Sequence, residues 1–233
     1  MQPIGNPHVI DQRLTAKTRS RYDRQANTID LSSGIMDRLG LARWRRALWD
    51  QVQGQRILEI GVGTGVNFPY YPNDVRVVAI DLSPRLLGRA LARATRENVQ
   101  VDLRVMDAQA LGFPDNTFDT VAATCVFCSV PNPVLGLQEA LRVLKPGGHL
   151  VLLEHVRLEG FLGLLQDLFN PVMLRISGAN INRRTVENVR RAGFRTTKVK
   201  LLARGLVRFI IAIADKDGAG HEAEESLEMA KGD

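Results

Sequence analysis

The sequence predicts an α/β protein with a mostly parallel β-sheet and helices on both faces. After about residue 53, apolar strand-like runs alternate with helical segments, an order typical of parallel sheets. Two of these helices have clear starts, because Ser83 and Asn132 are N-capping residues and each is followed directly by proline. A glycine-rich segment also follows the first strand. A chain of 233 residues can bury about 70% of the surface of its unfolded form, which is enough for one core.

The first 53 residues are predicted to form helices that precede the sheet. Apolar residues recur there at helical spacing and are expected to pack on the core: Leu41, Trp44, Leu48 and Val52. Arginines lie between them and are expected to face solvent: Arg43, Arg45 and Arg46. The sequence therefore predicts an amphipathic helix shortly before the first strand.

Residues 57–65 join that strand to a turn with three alternate glycines. Glycine at positions Gly61, Gly63 and Gly65 lets a ligand approach the backbone and the helix N-terminus behind it. Their spacing is G-x-G-x-G, whereas the nicotinamide and flavin fingerprint is G-x-G-x-x-G. Glu59 lies near the end of the strand, where an acid disfavours pyrophosphate but suits a ligand that carries an ammonium and a sulfonium. This combination indicates S-adenosylmethionine.

Two further acids follow the next two predicted strands. Asp81 ends the second strand, about 20 residues after Gly61, the distance at which an acid can accept both ribose hydroxyls of a nucleotide-like ligand. Asp107 and Ala108 follow the third strand, where a carboxylate can accept a hydrogen bond from an adenine amino group. In open α/β sheets the ligand crevice lies outside the carboxyl ends of the strands, so these acids are expected to meet there.

Together with two other segments, these motifs resemble the class I S-adenosylmethionine-dependent methyltransferases. The loop and strand start at residues 113–119 and the helix stop at residues 141–148 are typical of that family. The resemblance runs from about Tyr22 to about Ala214. It implies a Rossmann-like, seven-stranded, mostly parallel sheet with helices on both faces, an antiparallel terminal strand pair and an N-terminal helical lid.

The same resemblance implies a single domain over residues 1–214. Residues 1–53 would form the N-terminal helices, and residues 54–214 the Rossmann-like core. Residues 215–233 hold seven acids and two bases, and they are expected to be a disordered acidic tail.

The resemblance also implies the site. Binding of S-adenosylmethionine, and of its product S-adenosylhomocysteine, is expected from Tyr22, Glu59, Gly61, Val62, Gly63, Gly65, Asp81, Leu82, Asp107, Ala108 and Thr124. The acceptor pocket is expected to include Asn67, Cys128, His155 and Asn180. Methyl transfer is an in-line displacement that mainly requires alignment of the acceptor and exclusion of water. An amine or thiol must also lose a proton, and His155 is the candidate base, with packing or substrate orientation as the alternative role.

Three shorter segments indicate the class of acceptor: residues 126–132, 153–156 and 178–180. They are similar to parts of bacterial phospholipid N-methyltransferases and of membrane-associated thiol methyltransferases. The predicted function is methyl transfer to a small or amphiphilic acceptor, with phosphatidylethanolamine at the membrane surface favoured. A quinone C-methyltransferase, a thiol methyltransferase and a non-enzymatic cofactor-binding module are the alternatives.

The charge distribution adds a possible partner. The whole chain has a net charge of +6, and residues 1–214 alone carry 29 bases against 18 acids, a net charge of +11. The bases are dense near the start, at Arg13, Lys17, Arg19, Arg21, Arg24, Arg38, Arg43, Arg45 and Arg46. Such a surface could meet anionic lipid, at about 1 kcal/mol per base, or simply be solvated. Nucleic acid is disfavoured, since aromatic residues make up only 6% and do not interleave with the bases.

Two apolar stretches, residues 161–176 and 201–214, are too short to cross a bilayer and contain charges. The second is predicted to be an antiparallel strand pair that turns near Arg204. The first is expected either to pack on the core as a lid or to lie in a membrane interface, through Phe161, Leu162, Leu164, Leu165, Leu168 and Phe169. No targeting segment is evident, so a cytoplasmic location is expected, with peripheral membrane association as a possibility.

The two cysteines have the spacing of a redox or half-zinc motif. Cys125 and Cys128 lack further cysteines that would complete a tetrahedral site. They are expected to be reduced, to bind no metal and to line the pocket after the fourth strand.

Overall fold

The computed structural model describes residues 9–30, 34 and 37–216, without the side chains of residues 38 and 39. In this part of the chain, seven strands form one sheet in the order β3-β2-β1-β4-β5-β7-β6. The strands are β1 (Arg56–Ile60), β2 (Arg76–Asp81), β3 (Asp102–Val105), β4 (Phe118–Thr124), β5 (Leu144–His155), β6 (Arg195–Leu202) and β7 (Val207–Ile213). The acidic tail predicted from residue 215 onward falls almost wholly outside the described residues.

Helices precede and connect the strands. They are α1 (Gln12–Gln25), α2 (Ala42–Trp49), α3 (Pro84–Glu97), α4 (Pro133–Val143), α5 (Gly160–Ile176) and α6 (Thr185–Arg191). A kinked turn, Asp37–Leu41, in which Gly40 has φ 112°, leads into α2. The two predicted helix starts are confirmed, since Ser83 Oγ accepts the Leu86 N–H at 3.2 Å and Asn132 Oδ1 accepts the Leu135 N–H at 3.1 Å.

The pairing of the strands confirms the predicted fold. β1 to β5 pair in parallel, whereas β7 lies antiparallel between β5 and β6. The turn between β6 and β7, Ala203–Gly205, includes Arg204, at the predicted position. All carboxyl ends of the parallel strands therefore lie along one edge of the sheet.

The apolar core has two layers, one on each face of the sheet. Alternate residues of β1 take opposite sides, so that Leu58 packs with α4 and α6 whereas Ile57 packs with α2 and α3. Both side chains are fully buried, as expected for strands covered on both faces. This explains why the strands of the parallel part appear as continuous apolar runs.

The prediction for α2 is partly wrong. Leu41 and Leu48 are buried and Trp44 is half-buried, as expected, and Arg43 and Arg46 are exposed. Arg45, predicted to face solvent, is only 5% exposed. Its burial is compensated because its Nε donates to Asp37 Oδ1 at 3.0 Å and its Nη1 donates to Asn67 Oδ1 at 2.8 Å.

Helix α5 does not pack its apolar side chains on the core. The exposed ones are Phe161, Leu162, Leu164, Leu168, Phe169, Val172 and Ile176. Only Gly163 and Asn170 are buried, and Leu165 is half-buried. Among the described residues, no helix has both the length and the apolar character needed to traverse a bilayer.

Candidate active site

A cavity of about 240 Å³ lies at the carboxyl ends of β1, β2 and β4. Most residues that the sequence assigns to the cofactor line it: Tyr22, Gly61, Val62, Gly63, Asp81, Leu82, Asp107, Ala108 and Thr124. Two assigned residues lie behind this lining. Glu59 is buried next to Asn67, and Gly65 packs against Phe68.

The three glycines of the turn have different structural roles. All have positive φ, at 70°, 58° and 80° for Gly61, Gly63 and Gly65. A Cβ on Gly61 would lie 2.4 Å from Val126 Cγ2, and a Cβ on Gly65 would lie 2.3 Å from the Phe68 ring. Within the described part of the chain, a Cβ on Gly63 would meet nothing within 4 Å. Gly61 and Gly65 therefore allow the protein to pack on itself, whereas Gly63 leaves free space beside the cavity.

Asp81 is held between the glycine turn and the start of α3. Its Oδ2 accepts the Gly63 N–H at 2.9 Å and its Oδ1 accepts the Ser83 N–H at 2.8 Å. Burial raises the pKa of this carboxyl, while the backbone N–H groups oppose the shift. Each oxygen keeps a lone pair, so the carboxylate can still accept hydrogen bonds from ligand hydroxyls.

Asp107 is fixed by its neighbour Gln109, which is buried. The Gln109 Nε2 donates to Asp107 Oδ2 at 3.0 Å, and the Gln109 backbone N–H donates to Asp107 Oδ1 at 2.9 Å. Gln109 Oε1 in turn accepts the Asn132 N–H at 2.9 Å. The carboxylate at the end of β3 is thereby oriented by the start of α4.

A buried polar network forms the floor of the cavity beside β1. Asn67 Nδ2 donates to Glu59 at 2.5 Å, the Tyr71 hydroxyl also donates to Glu59, and Asn67 Oδ1 accepts from Arg45. Burial raises the pKa of Glu59 to about 7. Asn67, predicted for the acceptor pocket, does line the cavity, but both ends of its amide are already hydrogen-bonded to protein.

The segment containing α1 covers the cavity through polar contacts. The Tyr22 hydroxyl and Ser129 Oγ are 2.5 Å apart, and Asp23 accepts from the Ser83 hydroxyl at 2.5 Å. Burial raises the pKa of Tyr22, so it stays protonated. No residue of α1 is fully buried, although the Tyr22 hydroxyl is shielded from water, so this lid is held mainly by hydrogen bonds, worth about 1 kcal/mol each.

A second set of lid contacts lies after α1. Asp30 accepts from the Thr64 hydroxyl and forms an ion pair with Arg89 at 2.7 Å. Thr64 belongs to the glycine turn and lines the cavity. The lid is therefore tied directly to the turn beneath it.

Three residues predicted for the acceptor pocket do not line the cavity: Cys128, His155 and Asn180. Asn180 donates from its backbone N–H at 2.9 Å and from Nδ2 at 3.1 Å to the Cys128 carbonyl, so it clamps the loop after β4. The cavity is instead lined by Cys125, which has a left-handed backbone with φ 56°. His155 ends β5, and burial lowers its pKa, which keeps the imidazole neutral near pH 7.

Several lining residues were missed by the sequence analysis, among them Thr18, Arg45 and Ser129. Thr18 precedes Tyr22 by one helical turn, so the periodicity of α1 could have revealed it. Ser129 lies within residues 126–132, where the sequence predicts only Cys128 for the pocket. Arg45 carried no such signal, since arginine on an amphipathic helix normally faces solvent.

The residues present fit S-adenosylmethionine. The open face of Gly63 gives room for close approach, and Asp81 and Asp107 offer acceptors for ribose hydroxyls and an adenine amino group. Arg45 adds a positive charge that suits a carboxylate. Among the described residues, no group of three or more His, Cys, Asp or Glu side chains is arranged to hold a metal.

The known proteins that this chain resembles in sequence are methyltransferases. A family model described as a methyltransferase domain matches residues 58–152. A phosphatidylethanolamine N-methyltransferase of Cereibacter sphaeroides is 41% identical over 115 residues, which cover 48% of this chain and 57% of that protein. A demethylmenaquinone methyltransferase of Renibacterium salmoninarum is 38% identical over 166 residues, which cover 70% of this chain and 68% of that protein. A thiol S-methyltransferase of Rattus norvegicus is 31% identical over 199 residues, which cover 83% of this chain and 78% of that protein.

Solved structures share the fold. One, described as an S-adenosylmethionine-dependent methyltransferase and possible histamine N-methyltransferase of Thermotoga maritima, has a TM-score of 0.64 at 22% identity, covering 84% of this chain and 99% of that one. The [4+2]-cyclase SpnF has a TM-score of 0.61 at 21% identity, covering 74% and 79%. These likenesses concern the fold alone, and the cyclase illustrates that this fold hosts different chemistries.

Proposed function

Because the chain belongs to the S-adenosylmethionine-dependent methyltransferases, we propose that its acceptor is the amine of phosphatidylethanolamine, taken from the surface of an anionic membrane. The methyl donor is S-adenosylmethionine, and the reaction class is methyl transfer to a small-molecule acceptor. The identity of that acceptor is the subject of the proposal, since the relatives methylate lipids, quinones and thiols.

The chain contributes alignment and exclusion of water. When bound, S-adenosylmethionine supplies a methyl group that is activated by its positive sulfur. Asp81 and Asp107 would hold the nucleoside part, while the lid carrying Tyr22 closes the cavity above them. The hydroxyls of Tyr22, on the lid, and of Ser129, in the loop after β4, lie side by side at the cavity and would orient the acceptor amine by hydrogen bonds.

The observation that carries the lipid acceptor is the exposed apolar helix α5. Phe161 is 71% exposed and Leu168 is 70% exposed, although apolar side chains of this size are normally buried. Just beyond α5, Asn180 binds the Cys128 carbonyl, in the loop whose next residue, Ser129, lines the cavity. An amphiphile that rests on α5 would therefore lie beside the catalytic cavity.

The charge next to α5 suits an anionic surface. Gln25 Nε2 donates to the Ile176 carbonyl at 3.2 Å, so the end of α1 lies against the end of α5. The exposed bases of α1 are Arg13, Lys17, Arg19 and Arg24, and none of them forms an ion pair within the described residues. Each base close to an anionic membrane would contribute about 1 kcal/mol. Apolar and basic surfaces together are typical of helices that lie in the membrane interface.

The amine must lose a proton before it attacks. His155 is the candidate base, and its lowered pKa keeps the neutral, proton-accepting form available. Since His155 ends β5 outside the cavity lining, this role would require the acceptor to extend from the cavity toward that strand end. Substitution by glutamine and a pH–rate profile would test it, because loss of a base removes the acidic limb of the profile.

A thiol or quinone acceptor is the second candidate. It is favoured by the alignments with the thiol and demethylmenaquinone methyltransferases, which cover more of this chain than the alignment with the lipid methyltransferase does. Activity on a soluble acceptor of either class would not depend on anionic vesicles.

The acceptor is tested with labelled S-adenosylmethionine and three acceptors in parallel. These are phosphatidylethanolamine in vesicles with phosphatidylglycerol, a soluble alkyl thiol and a soluble demethylated quinone. We expect label in the lipid, at a rate that falls as salt rises, because exposed charge attraction is screened over about 10 Å at ordinary ionic strength. Label only in the thiol or the quinone would refute the lipid proposal.

A further inference from the structure

A second cavity, of about 580 Å³, lies at the same edge of the sheet but beside β5, β6 and β7. It is bounded by the end of β5, the start of α5 and helix α6. Its arginines are Arg157, Arg183, Arg184, Arg190 and Arg208. Two acids also line it, Glu159 and Glu187. We call this cavity, defined by these seven residues and Thr185, the arginine groove.

Only part of this positive charge is neutralised within the protein. Arg157 pairs with Asp167 at 2.8 Å, and Arg184 lies 3.7 Å from Glu187. The other three arginines form no ion pair with any described acid. The groove therefore has an excess of positive charge that is available to a ligand.

Buried donors in the groove also lack partners. Thr185 is 1% exposed, and its hydroxyl has no hydrogen bond among the described residues. The Arg183 Nε is buried and equally unpartnered, although its Nη2 donates to the Val130 carbonyl at 3.0 Å. Buried donors are rarely left unsatisfied in folded proteins. Oxygen atoms of an anion would supply the missing acceptors, in charge-assisted hydrogen bonds of the kind that arginine forms with phosphate.

The groove also has an apolar border. Val199 and Leu201 line it with 39% and 61% of their surface exposed. Gly160, which opens α5, lines it as well, and the next residue, Phe161, is 71% exposed. A ligand that fills the groove and its border would carry a phosphate next to an apolar group.

We propose that the arginine groove is a binding site for a phosphate group, separate from the cofactor cavity. Arg183 connects the two, because it lines the groove and binds the carbonyl of Val130, which lines the cofactor cavity. The phosphate belongs either to a membrane phospholipid or to a soluble phosphoester. The proposal extends the proposed function without depending on it, since a phosphate can bind here whichever acceptor is methylated.

The test measures binding, without any methyl transfer. Two probes distinguish the sources: glycerol 3-phosphate by calorimetry, and phosphatidylglycerol vesicles by flotation. The test variant is Arg190→Gln, because the Arg190 side chain makes no hydrogen bond or ion pair with the described residues, so the fold should tolerate its loss. A second variant adds Arg208→Gln. The matched control is Arg76→Gln, an exposed arginine that pairs with no described acid and lies at the opposite edge of the sheet.

We expect the affinity for at least one probe to fall about tenfold in Arg190→Gln, further in the double variant, and not in Arg76→Gln. Weaker binding of glycerol 3-phosphate by the groove variants supports a soluble phosphoester as the ligand. Weaker binding of vesicles alone supports a lipid phosphate. The proposal is overturned if neither probe binds the wild type, or if the groove variants and the control weaken binding equally. Thermal denaturation of each variant verifies that it is folded.

Discussion

Gly63→Ala separates binding of the cofactor from stability of the fold. The φ of Gly63 is 58°, and its absent Cβ would meet no atom of the described residues within 4 Å. The residue lines the cofactor cavity. Alanine should therefore fold at this position, with backbone strain, and place its methyl group in space that the ligand needs.

The size of each effect follows from the geometry. An L-residue in the left-handed region costs about 1 kcal/mol or somewhat more, which lowers Tm by about 2–4 °C for a domain of this size. A methyl group forced into a filled site costs about 1–3 kcal/mol. The dissociation constant for S-adenosylmethionine should consequently rise by about tenfold or more.

The matched control is Gly147→Ala. Gly147 has φ 72° and also has no described atom within 4 Å of its missing Cβ, but it lies near the start of β5, away from the cavity. Calorimetry with S-adenosylhomocysteine and thermal denaturation should show similar destabilisation of both variants and loss of affinity only in Gly63→Ala. Unchanged affinity in Gly63→Ala would refute the placement of the cofactor on the glycine turn.

Three further predictions concern single side chains. Asp81→Asn removes a charge and one acceptor for the N–H groups at either side of it, so calorimetry should show about 10- to 100-fold weaker cofactor binding, and wild-type affinity would exclude the assigned role. Burial raises the pKa of Glu154 from 4.5 to about 7, so between these pH values the carboxyl is protonated in the folded state and ionised in the unfolded state. The free energy of unfolding therefore falls by about 3 kcal/mol as pH rises through that window. Denaturant titrations at about pH 5 and pH 8 should show a smaller fall in the free energy of unfolding for Glu154→Gln than for the wild type, and an equal fall in both proteins would contradict this cause. Tyr22→Phe loses the contact with Ser129, so KM for S-adenosylmethionine should rise about fivefold, and an unaltered KM would mean that this contact does not hold the lid.

The strand ends were predictable because the relevant signals are local. A buried parallel strand appears as an apolar run, and the acid that follows it lies by topology at the ligand edge, as Asp81 and Asp107 do. The helix starts at Ser83 and Asn132 are equally local, since capping requires only one side chain and the next turn.

The loop after β4 could not be predicted, because its path depends on one backbone angle. Cys125 has φ 56°, a conformation that cysteine rarely adopts and that no sequence pattern signals. As a result, Cys125 lines the cavity, whereas Cys128 is buried and donates to the Cys125 carbonyl at 3.4 Å. His155 lies outside the cavity lining because adjacent strand residues point to opposite faces, and its neighbour Glu154 reaches this loop, accepting the Val126 N–H at 2.8 Å.

Arg45 and α5 show the limits of hydrophobic periodicity. Arg45 is buried because Asp37 and Asn67 lie where its side chain ends, and such tertiary partners leave no trace in a helical repeat. The apolar residues of α5 would have the same spacing in a core helix and in an interfacial helix. The structure argues against the core packing, because it leaves Phe161 and Leu168 exposed.

The central claim is that a bilayer acceptor reaches the cofactor cavity by way of α5. It is tested most directly by the kcat/KM for phosphatidylethanolamine in anionic vesicles, compared between Leu164→Asp and Leu91→Asp. Both leucines are 60% exposed, but Leu91 lies on α3, so the two variants differ mainly in the helix that they alter. We predict a fall of about tenfold or more in Leu164→Asp alone, with methylation of a soluble short-chain phosphatidylethanolamine retained. Equal rates for the two variants on vesicles would contradict the claim.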